Sequence, residues 1–447
     1  MKVPGPSLYL SVENVAREFD SKLLLASEMV RRSITVVIGQ QWLLNENLEF
    51  MPPGFVFFKG LNRVQAANMM VARKFGHAVV ANDEEAVGIA DHRHMMRDVS
   101  SEVSIASKMI FCHGEIQREW LADAIPNLRG RLVVVGNPRI DLLRPEFRAL
   151  HQAEANRIRA NHGKFVLFNT NAGGINSKWG SLERYAQILV QIGWIDPNKA
   201  EDREILIEHL EFDQLNMNEI KSLIEILRSS LRDHTLIIRP HPAERFETWV
   251  ETFGSAPNIK IIQEGSHIPW ILASDLLLHT GCTTGLEAQV AGHPTISLRP
   301  GSSRARFFHM SNMTNVTADR ADSAATMVHD YLYNNSDLFV RTKPELDNMI
   351  ARYFTGITGR FAFERTADAL ANLFKSSVSP DAHLPWKPLA GFRTEMARSD
   401  LQRGKMTLTS EELRARLTLL QSVLGRSYTV RFEQIADSMF VLRPHFA

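Results

Sequence analysis

The sequence predicts an α/β protein built from two doubly wound, Rossmann-like domains and a C-terminal helical extension. Short apolar runs alternate with helical segments along most of the chain, as in parallel sheets whose strands are buried on both faces. This alternation reaches residue 135 or so and starts again near residue 164. Turns rich in glycine and polar residues follow the apolar runs, where open α/β sheets bind ligands.

The composition indicates a soluble globular chain of two or three domains. Its 447 residues are 44% hydrophobic and 23% charged. The net charge of +1 and the lack of a long Lys/Arg run argue against a nucleic-acid partner. Two distant cysteines, Cys112 and Cys282, form no disulfide framework and fit a reducing cytoplasm.

No segment of the sequence predicts a membrane span. No apolar run approaches the roughly 18 residues that a spanning helix needs. The first 20 residues carry charges and lack an apolar core, so we expect no signal peptide. We therefore expect a cytoplasmic protein, and peripheral association with the inner face of the membrane is compatible with these features.

Six apolar runs predict the strands of a first domain, residues 1–162. They cover residues 8–12, 34–38, 55–58, 77–80, 109–112 and 132–135. Helical periodicity fills residues 13–30 and 61–75 and begins again at Glu115. A polar helical segment over residues 146–162 leads to the boundary.

A second strand–helix series predicts a second domain, residues 163–380. Its apolar runs cover residues 164–168, 236–238, 259–262, 276–278 and 295–298. Two such domains facing each other across a cleft form the architecture called GT-B. Residues 381–447 are irregular until Thr409-Ser-Glu-Glu412, a capping box that predicts a helix to about Leu424. We interpret this tail as the helical extension.

Residues 275–299 predict a strand, a tight turn, a helix and a further strand. Gly281 permits a sharp turn, and Gly285 permits close approach of a ligand. Backbone N–H groups and hydroxyls at the helix start would converge on an anion, and Glu287 lies one turn further on, towards a ribose. The alternative is an ordinary crossover with a polar turn. The predicted donor-binding residues here are His279, Thr280, Gly281, Thr283, Thr284 and Glu287.

Arg239-Pro-His241-Pro follows another predicted strand. A guanidinium can fork onto phosphate oxygens, and an imidazole can donate to the same group. We predict that Arg239 and His241 also bind the donor. The alternative is a proline-rich turn, since Arg443-Pro-His445 recurs outside a strand–helix context.

Acidic residues follow a strand of the first domain, at Asn82-Asp-Glu-Glu85. Clustered carboxylates raise one another's pKa, which suits a general base. The predicted catalytic residues are therefore Asp83, Glu84 and Glu85. Acidic residues at a helix start, favoured by its dipole, are an equally good interpretation. Asp141, in Gly136-Asn-Pro-Arg-Ile-Asp141, is the next candidate, although a structural turn explains that motif slightly better.

The sequence gives no reason to expect a metal or a cofactor. It contains no Asp-x-Asp run, which some enzymes use to hold a nucleoside diphosphate through a divalent metal. Walker, G-x-S-x-G and G-x-G-x-x-G motifs do not occur either. Asp91-His-Arg-His94 lacks further ligands at usable spacing and fits a solvated helix surface.

Taken together, these motifs resemble those of bacterial surface carbohydrate (surface polysaccharide) biosynthesis proteins. The resemblance covers most of residues 8–340. It depends on Arg17-Glu-Phe-Asp-Ser-Lys-Leu-Leu-Leu-Ala26, Asp83-Glu-Glu85, Gly136-Asn-Pro-Arg139 with Asp141, Arg239-Pro-His-Pro242 and His279-Thr-Gly-Cys-Thr-Thr-Gly-Leu-Glu287. Ala86 departs from the glycine expected after the acidic run, which affects the geometry of that turn.

The resemblance implies a metal-independent glycosyltransferase of GT-B type, similar to the Kdo transferases of capsule and lipopolysaccharide assembly. The donor would be a nucleotide sugar, such as a CMP-Kdo-like molecule, and the acceptor a glycan or a lipid-linked glycan. One alternative is a nucleotide-sugar 2-epimerase, which shares the Gly-turn-Glu-Ala-Gly-x-Pro stretch but carries a Gly-Thr-Arg-Pro-Glu run that this chain lacks. A second alternative is a non-catalytic GT-B-like component of a polysaccharide assembly complex.

Overall fold

The computed structural model describes residues 7–97, 99–191, 193–301, 305, 308–377, 386–395 and 407–443, with the side chain of Glu85 outside the description. The chain forms two compact units. The first unit comprises Met1–Val87, Met96–Leu150 and Ala351–Ala447. The second unit comprises Gly88–Met95 and His151–Ile350.

The first unit contains a sheet of eight strands. They are β1 (Ser7–Val12), β2 (Thr35–Gln40), β3 (Phe55–Phe58), β4 (Ala78–Asn82), β5 (Met109–Cys112), β6 (Leu132–Val134), β13 (Arg431–Ala436) and β14 (Met439–Arg443). Their order is β13-β14-β2-β1-β3-β4-β5-β6. Strands β1 to β6 are parallel, and the β13–β14 hairpin joins β2 in antiparallel register.

The second unit contains a parallel sheet of six strands. They are β7 (Phe165–Asn169), β8 (Thr235–Arg239), β9 (Ile259–Ile261), β10 (Leu276–His279), β11 (Thr295–Leu298) and β12 (Val316–Ala318). Their order is β12-β11-β10-β7-β8-β9, that of a doubly wound Rossmann sheet.

Helices connect the strands of both units. In chain order they are Asp20–Arg31, Gln41–Glu46, Arg63–Lys74, His92–Arg97, Val103–Ala106, Glu115–Ala124, Pro138–Asp141, Ala149–His162, Leu182–Gln191, Ala200–Ser230, Phe246–Phe253, His267–Ala273, Thr283–Val290, Ser311–Thr314, Ala321–Tyr333, Leu338–Tyr353, Ala362–Ser377 and Ser410–Val423. None of the described helices is both long and apolar enough to cross a membrane.

Each unit has its own apolar core. In the first unit, strands β1 to β3 pack with three helices, Asp20–Arg31, Ala362–Ser377 and Ser410–Val423. In the second unit, strands β7, β8, β10 and β11 pack with three others, Ala200–Ser230, Phe246–Phe253 and Ala321–Tyr333. Burial of both faces of each sheet explains why the strand sequences are continuous apolar runs rather than alternating ones.

The two units differ in three places from the predicted ranges 1–162, 163–380 and 381–447. Residues 88–95 and 151–162 lie with the second unit, and residues from 351 onwards lie with the first. The C-terminal tail holds the predicted helix with its capping box, in which the N–H of Glu412 donates to Thr409 Oγ1 at 3.2 Å. It also holds the β13–β14 hairpin, which the sequence did not predict. The hairpin forms because β14 pairs with β2, a strand some four hundred residues away in sequence.

Candidate functional site

Both sheets contain a switch point, where successive strands are added on opposite sides of a central strand. In the first sheet it lies between β1 and β3, because β2 is on the other side of β1. In the second sheet it lies between β7 and β10, because β8 and β9 are on the other side of β7. The crevice outside the carboxyl ends of the strands at such a point is where open α/β sheets bind ligands.

The predicted glycine turn lies at the β7/β10 switch point and is joined to the loop after β7. The side-chain amide of Asn169 donates to Thr284 Oγ1 at 3.1 Å. The backbone N–H of Asn171 donates to Thr280 Oγ1 at 3.0 Å, and its side-chain amide donates to the carbonyl of Gly281 at 2.7 Å. The sequence analysis assigned no role to these two asparagines.

His279 is fully buried, and its hydrogen bond with Gly281 stabilises the glycine turn. Its Nδ1 accepts the N–H of Gly281 at 3.1 Å, so Nε2 carries the hydrogen and donates to Asn315 Oδ1 at 2.7 Å. Burial lowers the pKa of His279 to about 4, so the imidazole is neutral at physiological pH. A side chain at Gly285 would overlap this imidazole, which explains the glycine there.

The helix Thr283–Val290 begins at this turn with Cys282 as its N-cap. A serine, threonine, aspartate or asparagine usually supplies an oxygen acceptor at that position, whereas the Cys282 side chain makes no capping hydrogen bond. Burial raises the pKa of the Cys282 thiol to about 11, so it remains uncharged. The N-cap of this helix therefore offers no side-chain oxygen that would compete with an anion for the free N–H groups.

Residues 88–90 lie beside this helix start, in the second unit. A Cβ at Gly88 would lie only 2.8 Å from Thr283 Cγ2, and the carbonyl of Gly88 accepts the N–H of Met310 at 2.7 Å. The N–H of Ala90 donates to the carbonyl of Phe308 at 3.0 Å. The chain between the predicted acidic cluster and β5 thus contributes to the surroundings of the β7/β10 switch point.

Arg239 ends β8, and its guanidinium is held by the protein. It donates to the carbonyls of Glu264 and Gly265 at 2.6 and 3.2 Å and lies over the ring of Trp270 at 4.9 Å. Burial lowers its pKa to about 10, which leaves it a cation at neutral pH. These two bonds use part of the five-donor fork and fix its plane.

The loop after Arg239 is joined to the loop after β7 by a residue that the sequence did not single out. Glu244 is buried, and its carboxylate accepts from the Thr170 hydroxyl, the Ala172 N–H and the Trp249 indole N–H. Burial raises the pKa of Glu244 to about 7. In the same loop His241 is exposed, and its Nδ1 accepts the N–H of Ala243 at 3.1 Å.

Glu287 lies one turn into the helix, as predicted. Its side chain is buried, and its carboxylate is in contact with His267 Nε2. His267 begins the neighbouring helix His267–Ala273. The contact with His267 therefore fixes the position of the Glu287 carboxylate, the group that the sequence analysis predicted to lie towards a ribose.

The β1/β3 switch point of the first sheet holds a buried charge network. Lys59 follows β3. Its Nζ contacts the carboxylate of Glu13 and lies 3.0 Å from Glu18 Oε1. Lys22, one helical turn after Glu18, lies 3.2 Å from Glu18 Oε2 and 3.5 Å from Glu84 Oε1. Burial alone would raise the pKa of Glu18, but Lys22 and Lys59 together lower it to about 2. Glu18 and Lys22 lie in the first motif of the resemblance, without a role assigned from sequence.

The predicted catalytic residues follow β4 at the same edge of the sheet. Asp83 and Glu84 are both buried, each 8% exposed, and Glu84 begins the short turn Glu84–Ala86. The N–H of Glu84 donates to the carbonyl of Lys59 at 2.9 Å. Its Oε2 has no hydrogen-bond partner among the described residues. Glu85 belongs to the same turn, but its side chain is outside the description.

The Gly136–Asp141 motif has two structural functions. The amide of Asn137 lies 3.1 Å from Nε2 of the buried His113. Asp141 is buried, and its carboxylate accepts the N–H groups of Ala362 and Phe363 at 2.9 and 2.8 Å. Asp141 therefore caps the helix Ala362–Ser377, which is a structural role.

Among the residues that the structure describes, no three or more His, Cys, Asp or Glu side chains are grouped so that they could hold a metal ion. The β7/β10 switch point of the second unit carries a helix start, hydroxyls and amides. The β1/β3 switch point of the first unit carries a network of charged side chains.

Comparison with known proteins shows the fold. A protein from Listeria monocytogenes designated a UDP-N-acetylglucosamine 2-epimerase is similar to this chain with a TM-score of 0.51 and 13% identity, over 85% of this chain and 100% of the other. The UDP-GlcNAc 2-epimerase of Neisseria meningitidis has a TM-score of 0.46 and 13% identity, with 83% and 99% covered. The wall teichoic acid polymerase TagF has a TM-score of 0.47 and 11% identity, with 83% and 89% covered.

The fold is therefore that of the GT-B class, with two Rossmann-like units, as the sequence predicted. No protein-family model matches the chain. A search of curated proteins also found no match.

Proposed function

We propose that this chain is a GT-B enzyme that binds a nucleotide sugar at the β7/β10 switch point of its second unit. The observation that carries the proposal is the turn at Gly281, followed by a helix start that lacks a capping oxygen and pinned by Asn169 and Asn171. Backbone N–H groups and the hydroxyls of Thr283 and Thr284 at such a place suit the phosphates of a nucleotide.

The other predicted donor residues act around that anion in this proposal. Arg239 supplies a cation with a fixed plane, and His241 presents an exposed ring. Glu287, paired with His267, holds the ribose. His279 and Thr280 are both buried, so in this proposal they stabilise the conformation of the turn rather than contact the ligand.

We further propose that the reaction is transfer of the sugar to a hydroxyl of a growing bacterial surface glycan. The proton of that hydroxyl passes to a carboxylate of the first unit, while the leaving phosphate is stabilised by the second. Asp83, Glu84 and Glu85 are the candidates for that carboxylate from sequence. The buried cation Lys22, whose Nζ lies 3.5 Å from Glu84 Oε1, supports a role for this cluster.

Epimerisation of a nucleotide sugar at carbon 2 is the second candidate. It is favoured by the similarity to the Listeria monocytogenes protein, which extends over 85% of this chain. It requires the same nucleotide-sugar site but no acceptor.

Incubation of the chain with a panel of nucleotide sugars, with and without glycan acceptors, tests these proposals. Nucleotide released only when an acceptor is present supports transfer, and an isomerised donor supports epimerisation. Binding without turnover supports a non-catalytic component of an assembly complex. Calorimetry on Arg239→Ala tests the site itself, since losing a charged hydrogen bond weakens binding by about 1.5–3 kcal/mol, roughly ten- to a hundredfold. Unchanged affinity would remove Arg239 from the site.

A further inference from the structure

Glu13 follows β1, directly at the β1/β3 switch point of the first sheet. Lys59 follows β3, the strand on the other side of that point. The two residues therefore occupy the place in the first sheet that corresponds to the glycine turn in the second. The sequence analysis considered catalytic carboxylates after β4 and after β6 and did not consider Glu13.

Glu13 is the most accessible carboxylate of the charge network. Its side chain is 30% exposed, against 4% for Glu18 and 10% for Glu84. A group that takes a proton from a bound substrate has to reach that substrate. Of these three carboxylates, Glu13 is thus the one that a ligand at the sheet edge can touch.

Fixed partners hold Glu13 in place. Lys59 Nζ contacts Glu13 Oε2 and lies 3.0 Å from Glu18 Oε1. The backbone N–H of Glu13 donates to Glu18 Oε2 at 3.0 Å. Because Glu18 and Lys22 are themselves paired in the interior, the position of the Lys59 ammonium is determined by the fold. Such support keeps a reacting group close to its productive geometry.

At the same edge of the sheet, one buried carboxylate oxygen accepts no hydrogen bond from the described residues. Oε2 of Glu84 is buried and has no partner among the described residues. Beside it is a small pocket whose lining includes Lys22, Asn82 and Asn137. A buried carboxylate oxygen is normally satisfied. The space there admits one small donor group, such as a water molecule or a single hydroxyl.

We propose that Glu13 is the proton acceptor for the acceptor hydroxyl and that Lys59 is its positioning residue. This inference rests on the proposed glycosyl transfer. The acceptor O–H bond breaks, and its proton goes to the Glu13 carboxylate. The hydroxyl oxygen forms a bond to the anomeric carbon of the donor sugar. The bond from that carbon to the phosphate oxygen breaks, and its electron pair leaves with the nucleotide.

The test compares Glu13→Gln and Glu13→Asp with Glu433→Gln, a matched exposed carboxylate of the first unit that pairs with Arg443. Three quantities are measured: kcat for transfer, nucleotide-sugar affinity by calorimetry, and Tm. We expect Glu13→Gln to lower kcat by about a hundred- to ten-thousandfold, the usual contribution of a general base. Nucleotide-sugar affinity and Tm remain near those of the wild type. Glu13→Asp retains part of the activity, and Glu433→Gln retains all of it.

Lys59 is tested with Lys59→Met and Lys59→Arg. A positioning role predicts that Lys59→Met lowers kcat with little change in the KM for the donor, and that Lys59→Arg recovers part of kcat. Near-normal kcat in Glu13→Gln, with activity lost in Glu84→Gln, overturns the proposal and assigns the proton to Glu84. A wild-type chain that neither binds nor consumes any nucleotide sugar overturns the proposed function as well, which distinguishes the two failures.

Discussion

The side-chain amide of Asn171 donates a hydrogen bond to the backbone carbonyl of Gly281, at 2.7 Å. This bond joins the loops that follow β7 and β10, the two strands on either side of the switch point. With the contact of Asn169 to Thr284, it holds the glycine turn against the neighbouring strand end before any ligand arrives. A turn that is already ordered saves a ligand the entropy of ordering it.

Asn171→Ala tests this preorganisation. The variant loses the bond to Gly281 and retains the backbone bond to Thr280. We expect the free energy of unfolding to fall by about 0.5–1.5 kcal/mol. The Kd for a nucleotide sugar should rise about tenfold, equivalent to about 1.4 kcal/mol. Calorimetry and denaturant unfolding measure the two quantities. Asn218→Ala, at an exposed position of the helix Ala200–Ser230, is the control, and an equal affinity loss there would contradict the role of Asn171.

Gly281→Ala tests the conformation of the turn. Gly281 has φ +80°, and a Cβ there would lie 2.7 Å from Asn312 Nδ2. Gly292 has φ +70°, and no heavy atom lies within 4 Å of its added Cβ. Both alanines incur the left-handed backbone cost of about 1–2 kcal/mol. The clash with Asn312 adds about 1–3 kcal/mol in Gly281→Ala alone.

Thermal and denaturant unfolding of Gly281→Ala and Gly292→Ala measure that difference, and nucleotide-sugar binding should be lost only in the first. Equal destabilisation in the two variants would show that the Asn312 side chain moves away from the added Cβ without a loss of folding free energy.

Asp141→Asn tests a pH dependence of stability. Burial raises the pKa of Asp141 from its ordinary value of 3.8 to about 7, despite the bonds from Ala362 and Phe363. Between these values the folded chain binds a proton that the unfolded chain has lost. This contribution to stability is therefore fully present below pH 3.8 and is lost as the pH rises through about 7.

We expect the free energy of unfolding to fall less steeply between about pH 4 and pH 7 in Asp141→Asn than in the wild type. Urea unfolding at a series of pH values measures the slope. Asn218→Ala, an exposed variant that removes no titrating side chain, should keep the wild-type slope. An unchanged slope in Asp141→Asn would show that another group titrates.

Phe440→Ala tests whether the C-terminal hairpin is part of the first core. Phe440 lies in β14, is fully buried and pairs with Ile38 of β2. Removing its ring should lower the free energy of unfolding by about 3–5 kcal/mol. Val340→Ala, at a position 78% exposed, should change it by less than about 0.5 kcal/mol. A small effect of Phe440→Ala would mean that the hairpin is dispensable for the stability of the unit.

The sequence predicted features that depend on neighbouring residues. Apolar runs located β1 to β11 to within two residues or so at their ends, because burial on both faces makes such strands continuous in sequence. The capping box at Thr409 was predicted correctly, since its two hydrogen bonds span three residues. The turn at Gly281 was placed correctly after a strand, since a glycine at positive φ is a local requirement.

Only the tertiary structure shows which of these segments lie next to one another. Local patterns do not specify strand order, so the two switch points became visible only with the sheets assembled. The same holds for the contact of Glu13 with Lys59, which lie 46 residues apart, and for Asp141 with Phe363, which lie 222 apart. The physical reason is that pairing across the chain depends on how whole elements pack, whereas periodicity and capping depend on a few adjacent residues.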